Sequence, residues 1–152
     1  LLESSELTTA KLKLTCISEY KDTGVVLLNR GNFIMVYDVI VRAGIDIKKV
    51  NIPKDRVDYL NKIIYISIPK ATIQSSSVDP ATIKYFDEDL SLFNVNQKED
   101  ANEAQALAQK DARKKALDSG ILELADSQSA ALIKGILSSV IPKGYTIEFI
   151  NQ

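Results

Sequence analysis

Residues 33–42, FIMVYDVIVR, are followed by Ala43-Gly44-Ile45-Asp46 and, after a polar connector, by residues 62–68, KIIYISI, and then Pro69-Lys70-Ala71-Thr72-Ile73. Both apolar runs have the length of a strand and are rich in β-branched and aromatic residues. The first is apolar on both faces except at Asp38, which predicts a central strand. The second predicts another strand, stopped at Pro69 because proline has no N–H for a ladder. Between them, Ala43–Asp46 reads as a turn around Gly44, with Arg42 and Asp46 on its flanks as a local ion pair or turn stabiliser, the alternative being a polar binding spot at a sheet end. The alternation of Ile45, Ile47, Val50 and Ile52 with charged residues predicts a half-exposed strand.

Outward from this centre, residues 11–20 alternate as a strand with Leu12, Leu14 and Cys16 on one face. Residues 1–10 read as a short helix or an irregular lead-in. Residues 25–28 form a short apolar strand between turn signals at 21–24 and 29–32. Downstream, 53–61 is a polar connector and 75–79 a polar loop. Asp79-Pro80 has the chemistry to cap a short helical turn, aspartate at N-cap and proline at N1.

From residue 100 the period changes. Asp100 and Glu103 have capping-box spacing, and Ala101, Ala104, Ala108, Ala112 and Ala116 form a small-residue stripe opposite Lys110, Arg113, Lys114 and Asp118. Gly120 fits a C-cap or a kink. A second amphipathic helix follows with Leu122, Ala125, Leu132, Ile136 and Val140 on its core side, ended by Pro142 and Gly144, and residues 145–150 close as a strand. The order predicts an α+β fold: a mostly antiparallel sheet, two late amphipathic helices packed on one face, and a C-terminal strand, in a single domain over 1–152.

Composition removes several functions. Nineteen basic against twenty acidic residues give a net charge of −1, so no global field draws phosphate backbones, and without tryptophan a base-stacking platform is poorly supported. Nucleic acid is therefore not expected as a partner. Histidine is absent, which excludes a Ser-His-Asp triad, a Cys-His dyad and a histidine-ligated zinc within the chain. Cys16 is the only cysteine, lies in an apolar alternating run, and reads as a small buried hydrophobe. The six glycines form neither a G-x-G-x-x-G nor a Walker sequence. No run of about 18 apolar residues is present that could span a bilayer.

The segments Val41-Arg42-Ala43-Gly44-Ile45-Asp46, Ile64-Tyr65-Ile66-Ser67-Ile68-Pro69-Lys70-Ala71, Ser119-Gly120-Ile121-Leu122 with Ala125, Ala130 and Ala131, and Gly144-Tyr145-Thr146-Ile147-Glu148-Phe149 occur in an order that resembles a bacterial family, the domain of unknown function numbered 4230. The resemblance covers residues 7–149. It implies a soluble domain displayed outside the cytoplasm after an N-terminal membrane anchor, with no assigned activity, and it lends no catalytic residues. The start at Leu1-Leu2-Glu3, without methionine, fits a part of a longer anchored protein.

Two side-chain clusters remain. Asp87, Glu88 and Asp89, with Asp79 nearby in sequence, read as a solvated acidic loop; the alternative is a hard-oxygen Ca²⁺ or Mg²⁺ site serving a metal-assisted hydrolase. The EF-hand spacing is missing. Lys110, Arg113, Lys114 and Lys115 read as a solvated helix face with the i,i+4 pairs Asp111–Lys115 and Lys114–Asp118, the alternative being contact with acidic lipid headgroups. The expectation is a non-catalytic binding or assembly module with a protein or envelope partner and no catalytic, cofactor or metal residues. The metal-assisted hydrolase is the alternative.

Overall fold

The structure, a computed structural model, describes residues 5–20, 33–53, 56–86, 92–93 and 98–151. Its elements run β1 (Glu6–Tyr20), β2 (Phe33–Asp46), β3 (Val57–Asp58), β4 (Ile63–Ile68), β5 (Thr72–Val78), β6 (Lys84–Phe86), β7 (Leu92–Phe93), α1 (Lys98–Asp118), α2 (Ile121–Leu137) and β8 (Thr146–Asn151). One sheet has the order β1-β2-β6-β7 with β5 also paired to β2; the other has the order β3-β4-β8. The fold is α+β, with strands first, two late helices and a returning strand, as the sequence predicts.

By contacts the chain forms two compact units that interleave in sequence. The first comprises Leu1–Lys11, Arg42–Gln74 and Gly120–Gln152; the second, Leu12–Val41 and Ser75–Ser119.

The first unit contains β3, β4, β8 and α2. Ile64, Ile66 and Ile147 form its buried centre, with Val50, Val57, Leu137, Ile141, Tyr145 and Phe149 packed around them. Burying each isoleucine stabilises by about 1.5–3 kcal/mol. The β3–β4 pair is antiparallel, whereas β8 lies parallel to β4 with Ile64 opposite Ile147 and Ile66 opposite Phe149. Parallel pairing at this edge departs from the antiparallel rule that holds for β2–β6, β3–β4 and β6–β7.

Three expectations in this unit change. Residues 43–46 are not a turn: β2 runs on through Asp46, and Gly44 is buried in extended backbone. A Cβ at Gly44 would overlap the Leu7 carbonyl oxygen and stand 2.9 Å from Gln74 Nε2, so this glycine serves a close approach of β1. Nor do residues 45–52 form a strand. Ile47–Lys49 is a 3-10 turn capped by Asp46, and only Asn51 bridges to the sheet, at Ser67. Residues 6–10 belong to β1 rather than to a helical lead-in.

The core face of α2 is also shifted. Ile121, Ala125, Ser129 and Ile133 are buried, while Leu132, Ile136 and Val140 are exposed. Small residues at 125 and 129 let the helix come close enough to β1 for side chain Thr9 to reach it, which the larger leucine line would prevent. The helix stops at Leu137, five residues before Pro142.

In the second unit β2 buries Met35, Tyr37, Val39 and Val41, every second residue, and β1 turns Cys16 inward with Leu12 and Leu14 half-buried. Along β1 the buried phase slips by one residue at Thr9–Ala10, so odd positions face inward before it and even positions after it. Ala108, Ala112 and Ala116 of α1 are fully buried at i,i+4 spacing, and Lys110, Arg113, Lys114 and Asp118 are exposed. The helix starts at Lys98, which places Asp100 inside it rather than at its N-cap. Residues 75–78, expected as a loop, continue β5; backbone pairing to β2 overrides the low strand propensity of three serines. Between α1 and α2, Gly120 is left-handed at φ 75°.

Candidate functional site

The sequence-flagged clusters fare differently. Asp87, Glu88 and Asp89 lie outside the described residues. Asp79 caps the 3-10 turn Pro80–Thr82, its carboxylate accepting from Ala81 N at 3.1 Å, as the Asp-Pro pair predicts. Among the described residues no group of three or more acidic or cysteine side chains stands where it could hold a metal. Arg42 and Asp46 are four residues apart on one extended strand, about 13 Å at the rise of a β-strand, too far for the expected ion pair. Asp46 instead accepts from Lys48 N at 3.0 Å, and a bond from Ser5 holds its carboxyl below the usual range.

Among the described residues, one buried group of titratable side chains lies in the second unit. Cys16 and Tyr37 are buried side by side, and the Tyr37 hydroxyl shares a 2.7 Å hydrogen bond with Ser18. Burial pushes both the thiol and the phenol up, opposed mainly by Lys115 at Cys16 and by the Ser18 hydrogen bond at Tyr37, so each is neutral near pH 7. Lys115 is itself tied to Asp111 at 2.8 Å, one of the two expected helical pairs. A neutral, enclosed thiol is a poor nucleophile.

Asp38, the one polar interruption in the central strand, is a tie-point. Its carboxylate meets Lys13 Nζ at 2.8 Å and accepts from Thr15 Oγ1 at 2.7 Å, contacts that hold its pKa down. Its own N–H donates to Thr82 Oγ1 at 2.8 Å, and its carbonyl accepts from Asp79 N at 2.9 Å. The residue joins β1, β2 and the Pro80–Thr82 turn. Sequence reading finds the odd aspartate but not its partners, which lie more than twenty positions away.

In the first unit α2 is held by polar contacts on its inner side. Thr9 Oγ1 donates to the Ala125 carbonyl at 2.9 Å and shares a second 2.9 Å bond with Ser129 Oγ. Asp126 accepts from Ala71 N at 2.7 Å and meets Lys70 Nζ at 3.5 Å. Gln74 accepts from Thr8 Oγ1 at 2.7 Å, and its Nε2, beside Gly44, is the one buried side-chain polar atom without a partner among the described residues. On the outer side the same helix presents Leu132 and Ile136 one turn apart and Leu124 two turns before Leu132, across the exposed Gln128, with Val140 beyond, the four aliphatic side chains between 43% and 73% exposed. Of these, periodicity assigns Leu132, Ile136 and Val140 to the core, whereas Leu124 lies outside the predicted core side.

Among the described residues no helix is long and apolar enough to cross a membrane. No curated protein matches the chain, and no solved structure matches it. The sequence model of one family matches residues 1–147, and the chain therefore belongs to that family, described as a protein of unknown function (DUF4230).

Proposed function

We propose that the chain is a non-catalytic binding or assembly module of a bacterial protein held at the membrane by an N-terminal segment, and that it engages a protein partner through the outer face of α2. One observation carries the reading: Leu124, Leu132 and Ile136 stand outward in a line on a helix whose inner face is already filled. Exposed aliphatic side chains grouped on one helix face, here broken by Gln128, mark interaction sites. The polar groups support the same reading, because Asp38, Asp46, Asp58, Asp79 and Asp126 each hold backbone or a neighbouring side chain in place.

A photo-crosslinking residue at Leu132 in the full-length protein in its own cells tests this. The expected result is a discrete adduct with one protein partner, absent when the same probe replaces Lys114 on the charged face of α1 and lost when Ile136→Ser is added. Equal labelling from both positions, or a turnover activity abolished by changing one polar residue, would overturn the reading.

A further inference from the structure

The four-residue turn between β3 and β4 is built to hold two large apolar side chains in solvent. Tyr59 is 75% exposed and Leu60 95%, the most exposed large hydrophobic among the described residues. The turn is firmly shaped. Asp58 Oδ1 accepts from Leu60 N at 3.0 Å and Asn61 N at 2.9 Å, and its Oδ2 accepts from Asn61 Nδ2 at 2.7 Å. Lys62 closes the turn at φ 55°, the one described non-glycine residue with positive φ, and its carbonyl accepts from Thr146 N at 2.8 Å. Ordering the backbone in this way raises a Tyr-Leu pair on a convex tip instead of folding it back on the sheet.

The flanks of the tip are basic. Arg56, Lys62 and Lys143 are exposed, and the Lys62 side chain runs along Gly144, next to Lys143. Among the described residues the carboxylate at the turn is Asp58, which is engaged in shaping it; Glu148 lies opposite Tyr65, two rungs further along the β4–β8 ladder than the first pair, Ile63–Thr146. An apolar tip with cationic shoulders complements one surface in particular. A bilayer takes tyrosine at the headgroup level and leucine below it, and anionic headgroups attract the lysines and arginine. A protein partner fits less well, since a stable protein interface covers about 800 Å² on each side and two side chains on a convex turn supply a small part of that.

We propose that the Tyr59-Leu60 turn is a membrane-contact tip that seats in the interface of an anionic bilayer. It uses residues other than those on the outer face of α2 and does not depend on an N-terminal anchor, so the chain itself serves as the test object. Because the chain has no tryptophan, a Leu60→Trp variant reports only on the tip. Its emission is expected to shift to the blue and to become shielded from an aqueous quencher on phosphatidylcholine–phosphatidylglycerol vesicles, but not on phosphatidylcholine alone. An Ile17→Trp variant, at an exposed position in the other unit, is expected to show neither change. In vesicle flotation, Tyr59→Ser with Leu60→Ser should lower partitioning about tenfold or more. Lys62→Gln with Lys143→Gln should lower it several-fold and flatten its dependence on salt. Circular dichroism confirms that each variant is folded before it is compared. No change of the Leu60→Trp emission on anionic vesicles, an equal change on neutral ones, or partitioning unaltered by the tip substitutions would overturn the proposal. A shift produced by lipid-free cell protein and not by vesicles would also overturn it, in favour of a protein partner.

Discussion

Of the large hydrophobic side chains exposed among the described residues, eight belong to the first unit and three, Ile17, Leu107 and Leu117, to the second. Of three ion pairs between described residues, Lys13–Asp38 and Lys115–Asp111, both at 2.8 Å, are in the second unit, and Lys70–Asp126, at 3.5 Å, is in the first. Both units seat a helix by the same device, a line of small residues at i,i+4 spacing. Ala108, Ala112 and Ala116 do it in α1, and Ala125 and Ser129 in α2. The inner faces are alike and the outer faces differ. The difference teaches that helix seating alone does not require the leucines of α2, which leaves them available for contacts outside the chain.

The largest expected effect tests how tightly the first unit is built. Gly44→Ala forces β1 off its path at the Leu7 carbonyl and should destabilise by about 3 kcal/mol or more, read from chemical denaturation. Gly135→Ala on α2 in the same unit meets nothing within 4 Å and should stabilise by about 0.5–1 kcal/mol through helix propensity. Similar losses at both glycines would break the argument from close approach.

Next in size is the inner face of α1. Ala112→Leu inserts three carbons where the helix is fully buried and should cost about 1–3 kcal/mol. If it cost nothing, the alanine line would not be a packing constraint.

Leu132→Ser and Ile136→Ser on the outer face of α2 should each change stability by only about 0.5 kcal/mol, while removing the partner adduct. A large stability loss would mean that these side chains are core after all, and the contrast between the units would fail.

The smallest effect concerns charge in the second unit. Lys13 and Thr15 hold the folded-state pKa of Asp38 below its unfolded value. The stability it contributes is therefore complete above the ordinary carboxylate range, about pH 4, and is lost as pH falls through the depressed folded value. Asp38→Asn should flatten the acid limb of the stability curve there and leave the neutral and alkaline limbs parallel to the wild type.

Legibility in the sequence followed the strength of local signals. The β-branched runs at 33–42 and 62–68, the Asp79-Pro80 turn and the alanine line of α1 each carry their reason within a few residues. Gly44 was misread because a glycine in a turn and a glycine under a crossing strand look the same until Leu7 is placed, 37 residues away. Ser75, Ser76 and Ser77 read as loop because backbone pairing to β2 leaves no trace in side-chain polarity. On α2 periodicity assigns Leu122, Ala125, Leu132, Ile136 and Val140 to the core; Ala125 is buried, but with Ile121, Ser129 and Ile133, because Thr9 of β1 approaches the helix at Ala125 and Ser129. The tip at Tyr59-Leu60 vanished into a connector because its meaning lies in exposure rather than in periodicity.

The parallel pairing of β4 with β8 has a consequence for biosynthesis. Ile64 and its partner Ile147 are 83 residues apart in the chain. At a translation rate of about 5–20 residues per second, β4 leaves the ribosome roughly 4–17 s before the strand that covers its second edge is made. During that interval Ile63-Ile64-Tyr65-Ile66-Ser67-Ile68, an uncharged segment of high β-propensity, keeps an open hydrogen-bonding edge, the feature that invites pairing with other chains. The first unit is thus completed late, and the second edge of β4 stays open until Thr146–Asn151 arrives.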